Sequence, residues 1–500
     1  MHKKILVIGG GIGGLAVSAL LAKDGFKITL LEKNKTIGGR ARFLKLDEFY
    51  FDMGPSWYMM PEVFENFFSI FDKKVKDFYQ LKKLKINYRV FFDDNDFVDI
   101  YSDIKKNFLT FKKYEKDGDI KLKKILNEAK YIYETSMKNL VFSDYKNLFQ
   151  LIKPEVLLNF LRFDIFQSLH SYIERNIKNP KLQKILEYTT VFLGGSPYNT
   201  PAFYKLVAHA DMNLGIYYPI GGMYKIVEAL EKLCNQYNVR IKTDEEVKKI
   251  FIKDKKIYMV ETNKGKKYRA DIFVVNADYP YFETKLLPKQ FQTYNAEYWD
   301  AKTFSPSAFI IYLGIKDNLR LSRHHNLYFV TDWKTHFDDV YKNKRIPKNP
   351  SFYYHIPSKT DQYMAPSSCH SVMILVPMPP GVFLGKEEEK VFYSKILKTF
   401  SKINKLENIE EKILVKKFFQ AKDFFQDYNA YFGSAFGIAH TLSQTALFRP
   451  RNYSKKIKNL FYVGQHTNPG IGIPPVLISA QIVYNLIKNY EHLLLPNLYK

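Results

Sequence analysis

The chain has 500 residues, more than one hydrophobic core usually organises, so two or three structural units are expected. Hydrophobic residues make up 46% and charged residues 25%, which excludes a disordered chain, and two distant cysteines, Cys234 and Cys369, exclude a disulfide framework. The net charge of +25 comes from lysines spread along the whole sequence, with no basic run in a nucleic-acid-binding motif; it reads as attraction to anionic lipid headgroups or as compositional drift in a Lys-, Asn-, Ile-, Phe- and Tyr-rich chain.

Lys4 to Ile8 is a short apolar run ending in glycine, as in a buried parallel strand. Gly13 to Asp24 predicts a helix closed by Gly25, and Lys27 to Glu32 a second strand. Ile5 to Ala22 carries no charge and has the length of a signal peptide or short anchor. Five glycines between Gly9 and Gly14 suit a tight strand-to-helix turn instead, so neither a signal peptide nor a spanning helix is expected. Next, Ile86 to Phe92 and Phe97 to Tyr101 flank Asp93-Asp94-Asn95-Asp96 as a hairpin, and Leu122, Ile125, Leu126, Ala129 and Ile132 recur at helical spacing. Gly221-Gly222 opens a helix to about Tyr237. Strands follow at Arg240 to Thr243, Glu246 to Ile250, Ala270 to Asn276, Ser307 to Gly314, Ser371 to Pro377 and Leu460 to Gly464, then a helix from Pro475 to Asn489.

These elements predict an α/β protein whose Rossmann-like dinucleotide domain is assembled from discontinuous segments, with an inserted α+β substrate domain. The nucleotide segments are 1–70, 206–285 and 431–500; the substrate segments are 71–205, with a helical part, and 286–430. From Leu140 to Leu193 basic residues interleave with apolar ones, including Leu157, Leu158, Phe160, Leu161 and Arg162. That stretch reads equally as a membrane-surface helix or a buried helix pair. His324-His325 are adjacent, so their side chains should diverge, and no metal site is expected.

Gly9, Gly11 and Gly14 form Gly-x-Gly-x-x-Gly between strand and helix, with Gly13 inside it. The first glycine makes the turn, the second admits a pyrophosphate and the third lets helix pack on strand. Phosphates then meet amide donors and the positive end of the helix dipole. Glu32 closes the second strand, followed by Lys33, and is placed for an adenosine ribose; an acid there disfavours a 2′-phosphate. The turn Gly38-Gly39-Arg40 offers further amides and a cation to the pyrophosphate, which favours FAD over NAD. Phe51 to Ser56, with Gly54, Pro55 and Ser56, returns toward the flavin.

Gly39-Arg40-Ala41-Arg42-Phe43 followed by Phe51-Asp52-Met53-Gly54-Pro55-Ser56-Trp57 resembles the bacterial-type phytoene desaturases, carotenoid desaturases of the flavin amine oxidase-like superfamily. Further matching segments are Tyr88 to Phe92, Gly221-Gly222-Met223, Asn276-Ala277-Asp278, Ser307-Ala308-Phe309, Gln444 to Pro450, and Phe461 to Pro474. The resemblance implies that the backbone of Val247 faces the adenine, and that Asn276, Gly464, Gln465, Gly472, Ile473 and Pro474 complete the FAD site. Gln465 stands where many relatives carry an acid, which argues against an amine oxidase.

The resemblance further implies FAD-dependent desaturation of phytoene or a related polyisoprenoid hydrocarbon, with hydride passing to flavin N5. A carotenoid cis-trans isomerase or polyene saturase of the same fold is the alternative. A flavin amine oxidase and a non-catalytic lipid carrier are more distant ones. Such a substrate needs an apolar tunnel and resides in a bilayer. The enzyme is therefore expected to dock peripherally on the cytoplasmic side of a membrane, and to pass electrons to oxygen or a quinone. No nucleic-acid partner is expected, and no oligomeric state is assigned. No general base stands out. His466 is a candidate for lining the reacting end, with a structural hydrogen bond as the alternative, and neither His440 nor Asp52 has a better claim to catalysis.

Overall fold

The computed structural model describes residues 3–93, 96–143 and 164–494, with side chains as far as residue 490. Distant stretches of chain meet in one five-stranded parallel sheet, ordered Leu460–Tyr462, Ile272–Val275, Lys4–Ile8, Lys27–Leu31, Arg240–Lys242. The first strand lies at its centre, and its alternating side chains divide between two cores. Ile5 and Val7 face the helices Ile12–Lys23, Tyr224–Gln236 and Ile473–Leu494, through Leu15, Leu230 and Leu477. Leu6 and Ile8 face the antiparallel sheet of Val247–Lys253, Lys256–Thr262 and Lys267–Arg269, through Val247 and Val260. Burial on both faces is why this strand reads as an unbroken apolar run. Each fully buried aliphatic side chain contributes about 1.5–3 kcal/mol.

The second large element is a seven-stranded mixed sheet, ordered Ile413–Phe419, Ser307–Ile315, His370–Met378, Phe352–His355, His325–Phe329, Ile86–Phe92, Phe97–Tyr101. Ile86–Phe92 joins it by parallel pairing with His325–Phe329, which binds the early hairpin to a strand more than two hundred residues later. The helix Lys386–Asn404 covers part of one face with Phe392, Ile396, Leu397 and Phe400. The hairpin Phe43–Leu46 and Phe49–Asp52 contributes Phe49 and Phe51 to another core, with Ile310, Tyr312 and Met373 of this sheet.

The predicted elements recur within a few residues of their expected ends, while several others had no sequence reading: that hairpin, the strands His325–Phe329 and Phe352–His355, and the helix Lys386–Asn404. Asp94 and Asn95 of the predicted turn lie outside the described residues, as do Leu157, Leu158, Phe160, Leu161 and Arg162 of the interleaved stretch. Beyond residue 163 that stretch forms the helices Leu169–Asn176 and Pro180–Glu187, which bury Tyr172, Ile173, Leu182 and Ile185 together. This part is a buried helix pair. Among the described residues no helix is long and apolar enough to cross a membrane. The divergence expected of His324 and His325 does not occur: their ring centroids lie 4.5 Å apart. Strand alternation does not separate them, because His324 precedes the strand that His325 opens.

Candidate active site

One cavity of about 640 Å³ runs along the carboxyl ends of the parallel strands and on toward the seven-stranded sheet. Its wall includes Gly9, Gly11, Gly13, Glu32, Lys33, Gly39, Arg40, Gly54, Pro55, Ser56, Val247, Asn276, Gly464, Gln465, Gly472, Ile473 and Pro474. Residues separated by more than 450 positions are thus brought to one surface. Gly14 alone of the predicted binding residues is not on the wall. A Cβ there would stand 2.0 Å from the Gly9 carbonyl oxygen, so this glycine serves the packing of helix on turn.

The phosphate end is built from backbone. Gly11 caps the opening helix without a side chain of its own; Asn276 takes the Gly14 N–H of the first turn, and Gly11, Ile12 and Gly13 stand on the cavity wall. The second glycine turn is joined to the first by Gly38 N–H donating to the Gly10 carbonyl at 2.8 Å. Arg40 beside it has a buried Nε without a protein partner. A helix start lined by glycine, two abutting glycine turns and an incompletely satisfied guanidinium fit a pyrophosphate. Glu32 is held by Gly10 N–H at 2.7 Å and by Asn34 N–H at 2.8 Å, which fixes its carboxylate at the wall. Asn276 ties the segments together: its Oδ1 accepts from Gly14 N–H at 2.7 Å, and its Nδ2 donates to the Val463 carbonyl at 3.1 Å.

At the flavin end, Arg40 lies 3.9 Å from Asp278, and with the Gln465 amide oxygen turned inward both guanidinium nitrogens donate to it at 3.2 Å. His466 lines the cavity, yet its Nε2 is bound to Asp278 at 3.1 Å, and burial lowers its pKa against the pull of that carboxylate. The hydrogen-bonded reading therefore describes His466 better than a free acid or base. His440 Nδ1 meets the Tyr204 hydroxyl at 2.7 Å, while its Nε2 accepts from Ile471 N–H at 3.2 Å. A Cβ at Gly470 would come within 2.3 Å of this ring, so the loop closes only with glycine there. Arg449 is fully buried and donates to the carbonyls of Thr467 at 3.0 Å and Gln465 at 2.6 Å. Burial pulls its pKa to about 10, so it stays cationic at neutral pH and holds the flavin loop.

Past Ser56 the wall becomes aliphatic and aromatic, with Trp57, Tyr188, Phe192, Phe329, Trp333 and Phe337. Trp57 is central: it stacks on His325 at 4.2 Å and 7°, and tilts against Tyr88, Tyr188 and Phe192. Behind this wall lies Asp211, a carboxyl without solvent exposure, whose Oδ2 accepts from the hydroxyls of Tyr88 at 2.8 Å and Tyr188 at 3.2 Å. Its Oδ1 has no partner. Burial raises its pKa to about 7. Asp211, Arg449 and Trp57 were not singled out from sequence. Trp57 has a cue in lying directly after the predicted flavin loop, and Arg449 in lying within the family-matching segment Gln444 to Pro450.

The flavin-containing amine oxidoreductase family matches residues 12–483, the span that carries most of this cavity's wall. The chain belongs to that family. Within it, a carotenoid 3,4-desaturase of Haloarcula japonica is 41% identical over 95% of this chain and 96% of its own. A zeta-carotene-forming phytoene desaturase of Myxococcus xanthus is 32% identical over 98% of this chain and 95% of its own. An oxidoreductase from Methanosarcina mazei has the same fold, with a TM-score of 0.63 at 18% identity over 96% of this chain and all of its own. The chain is thus a FAD-dependent oxidoreductase of the carotenoid desaturase group, and the family expectation from its sequence holds.

Proposed function

We propose that this protein desaturates a long polyisoprenoid hydrocarbon, phytoene or a carotenoid derived from it. The observation that carries this reading is the continuity of one cavity from the glycine turns, past Ser56, into an aromatic wall; the cavity's described lining holds no lysine or arginine besides Lys33 and Arg40. FAD, when bound, accepts a hydride from the substrate. The chain's own residues hold the polyene against Trp57 and Phe192, exclude water and remove a proton. The geometry favours Asp211 as the terminal proton acceptor, reached through Tyr188. As the substrate C–H bond breaks, its electron pair forms the new double bond. The proton passes to the Tyr188 oxygen while the Tyr188 proton moves to Asp211. A carboxyl poised near neutral pH suits this task.

Membrane docking belongs to the same reading. Leu140, Val141 and Ile165 line the cavity, and beside them Phe142 is 45% and Phe166 is 85% exposed. Apolar side chains at a cavity rim favour uptake of a bilayer-resident substrate. Electrons leave to oxygen or a quinone. Expression in a phytoene-accumulating host, with chromatography and mass spectrometry of the pigments, tests the function. Products lighter by two hydrogens per step and absorbing at longer wavelength are expected. Isomers of unchanged mass would favour the isomerase reading, heavier products the saturase, and untouched phytoene beside FAD-loaded protein would count against all three. A parallel host accumulating more desaturated carotenoids tests the later step named by the Haloarcula relative.

A further inference from the structure

Away from the flavin end, three histidines meet behind the Trp57 wall. His325 opens one strand of the seven-stranded sheet and pairs in register with His355 of its neighbour, while His324 precedes the strand. One ring nitrogen of each lies within 4.8 Å of the others, and all three rings are buried. His324 Nε2 faces His355 Nε2 at 3.0 Å. A zinc–imidazole bond of about 2.0–2.1 Å in a tetrahedron spaces two ligand nitrogens by about 3.3 Å, so this separation needs little adjustment. The outer nitrogens are oriented as those of metal-ligating imidazoles are: His324 Nδ1 meets Thr360 Oγ1 at 2.7 Å, and His325 Nδ1 meets the Tyr353 hydroxyl at 2.7 Å. His325 Nε2 and His355 Nδ1 are both buried without a partner, an uncompensated cost. His355 offers Nε2, or its unpartnered Nδ1.

Charge also fits. Tyr218 packs against His324 at 4.5 Å and His355 at 5.7 Å, and its hydroxyl donates to Asp52 at 3.1 Å. Asp52 and Asp361 are both buried, and Asp361 adds repulsion to the burial that already raises the Asp52 pKa. A dication in the histidine cluster relieves that repulsion through space.

We propose that His324, His325 and His355 bind one divalent transition-metal ion of the zinc class, which braces the cavity wall. Three imidazoles without a thiolate suit such an ion and not Ca²⁺ or Mg²⁺. The bracing follows from the stacking of His325 on Trp57. The ion does not enter the redox step.

The test uses FAD-loaded protein purified from zinc-supplemented cells, with metal measured by plasma mass spectrometry. About one zinc per chain is expected, and Zn-edge X-ray absorption should show about three imidazole nitrogens near 2.0–2.1 Å. His325→Gln/His355→Gln should lose the zinc while keeping its flavin absorbance. Wild-type protein with less than about a tenth of an equivalent, or equal zinc in wild type and double variant, would overturn the proposal. If the variant does not fold, the wild-type absorption spectrum decides: a shell of sulfur, or of oxygen without imidazole, rejects the site.

Discussion

The two ends of the cavity recognise what they hold by different means. The nucleotide end is made largely of backbone: the glycine-lined helix start at Gly11, the Gly38–Gly10 contact and the loop after Gly464 present amides and close approaches. The hydrocarbon end is made of side chains, with Trp57 and Phe192 as wall and the Tyr188–Asp211 pair behind it. A dinucleotide offers anions and hydroxyls that backbone can match, whereas a polyene offers only surface. Substitutions should therefore act on cofactor affinity at one end and on turnover at the other.

The largest effect should come from Asp211→Asn, which keeps an oxygen to accept from both tyrosines but loses the carboxylate. Turnover should fall by about 10²–10⁴-fold, with the flavin-to-protein ratio unchanged, because a general base contributes on that order. In the wild type, activity should rise with pH through about 7, where Asp211 ionises. The titrating groups facing it are Tyr88 and Tyr188, and His209 on its own helical turn is bound to Asn213. Stability should run the other way. The folded carboxyl binds its proton more tightly than the usual value of 3.8, so stability is greatest below that value and declines as pH rises through about 7. Melting curves of Asp211→Asn should be flatter over that window. An unchanged turnover would break the assignment of chemistry to side chains at this end.

Next in size is Gly14→Ala. Its Cβ would meet the Gly9 carbonyl oxygen at 2.0 Å, and backbone on both sides prevents relief by rotamer change. FAD affinity should fall at least about 100-fold, or about 2.8 kcal/mol, measured by fluorescence titration of apoprotein. Asn276→Ala should do less. It removes one acceptor and one donor that join Gly14 to Val463, worth about 1–2 kcal/mol, so FAD should bind about 5–30-fold more weakly. Parallel denaturant titrations separate loss of cofactor from loss of fold.

This division also explains what sequence could convey. The βαβ opening is local: Gly9 to Gly14 and Glu32 specify turn, helix and strand within thirty residues, and their pattern states the ligand. The strands His325–Phe329 and Phe352–His355 are only five and four residues long, and one pairs with Ile86–Phe92 across the chain. No local periodicity reports such pairing. Asp211 lies in a π-type helical turn, His209–Leu214, and its partners Tyr88 and Tyr188 come from two other segments. The run Leu206 to Leu214 does not say which distant side chains close around its one aspartate. His466 shows the same limit: its place in the flavin loop is legible and a structural hydrogen bond is one of its two readings, while the Asp278 carboxylate that engages it comes from the end of another strand.

Val247 supplies the smallest effect and the sharpest test of the contrast. The family resemblance puts its backbone, not its side chain, against the adenine, and the side chain is buried with Leu6, Ile8 and Val260 between the parallel sheet and its three-stranded cover. Val247→Ala should therefore destabilise the fold by about 1–2 kcal/mol through lost apolar burial. FAD affinity at a temperature well below melting should stay within about threefold, since no atom facing the nucleotide is removed. If affinity falls tenfold while stability is unchanged, the Val247 side chain contacts the cofactor, and the backbone rule fails at the position where it is stated most narrowly.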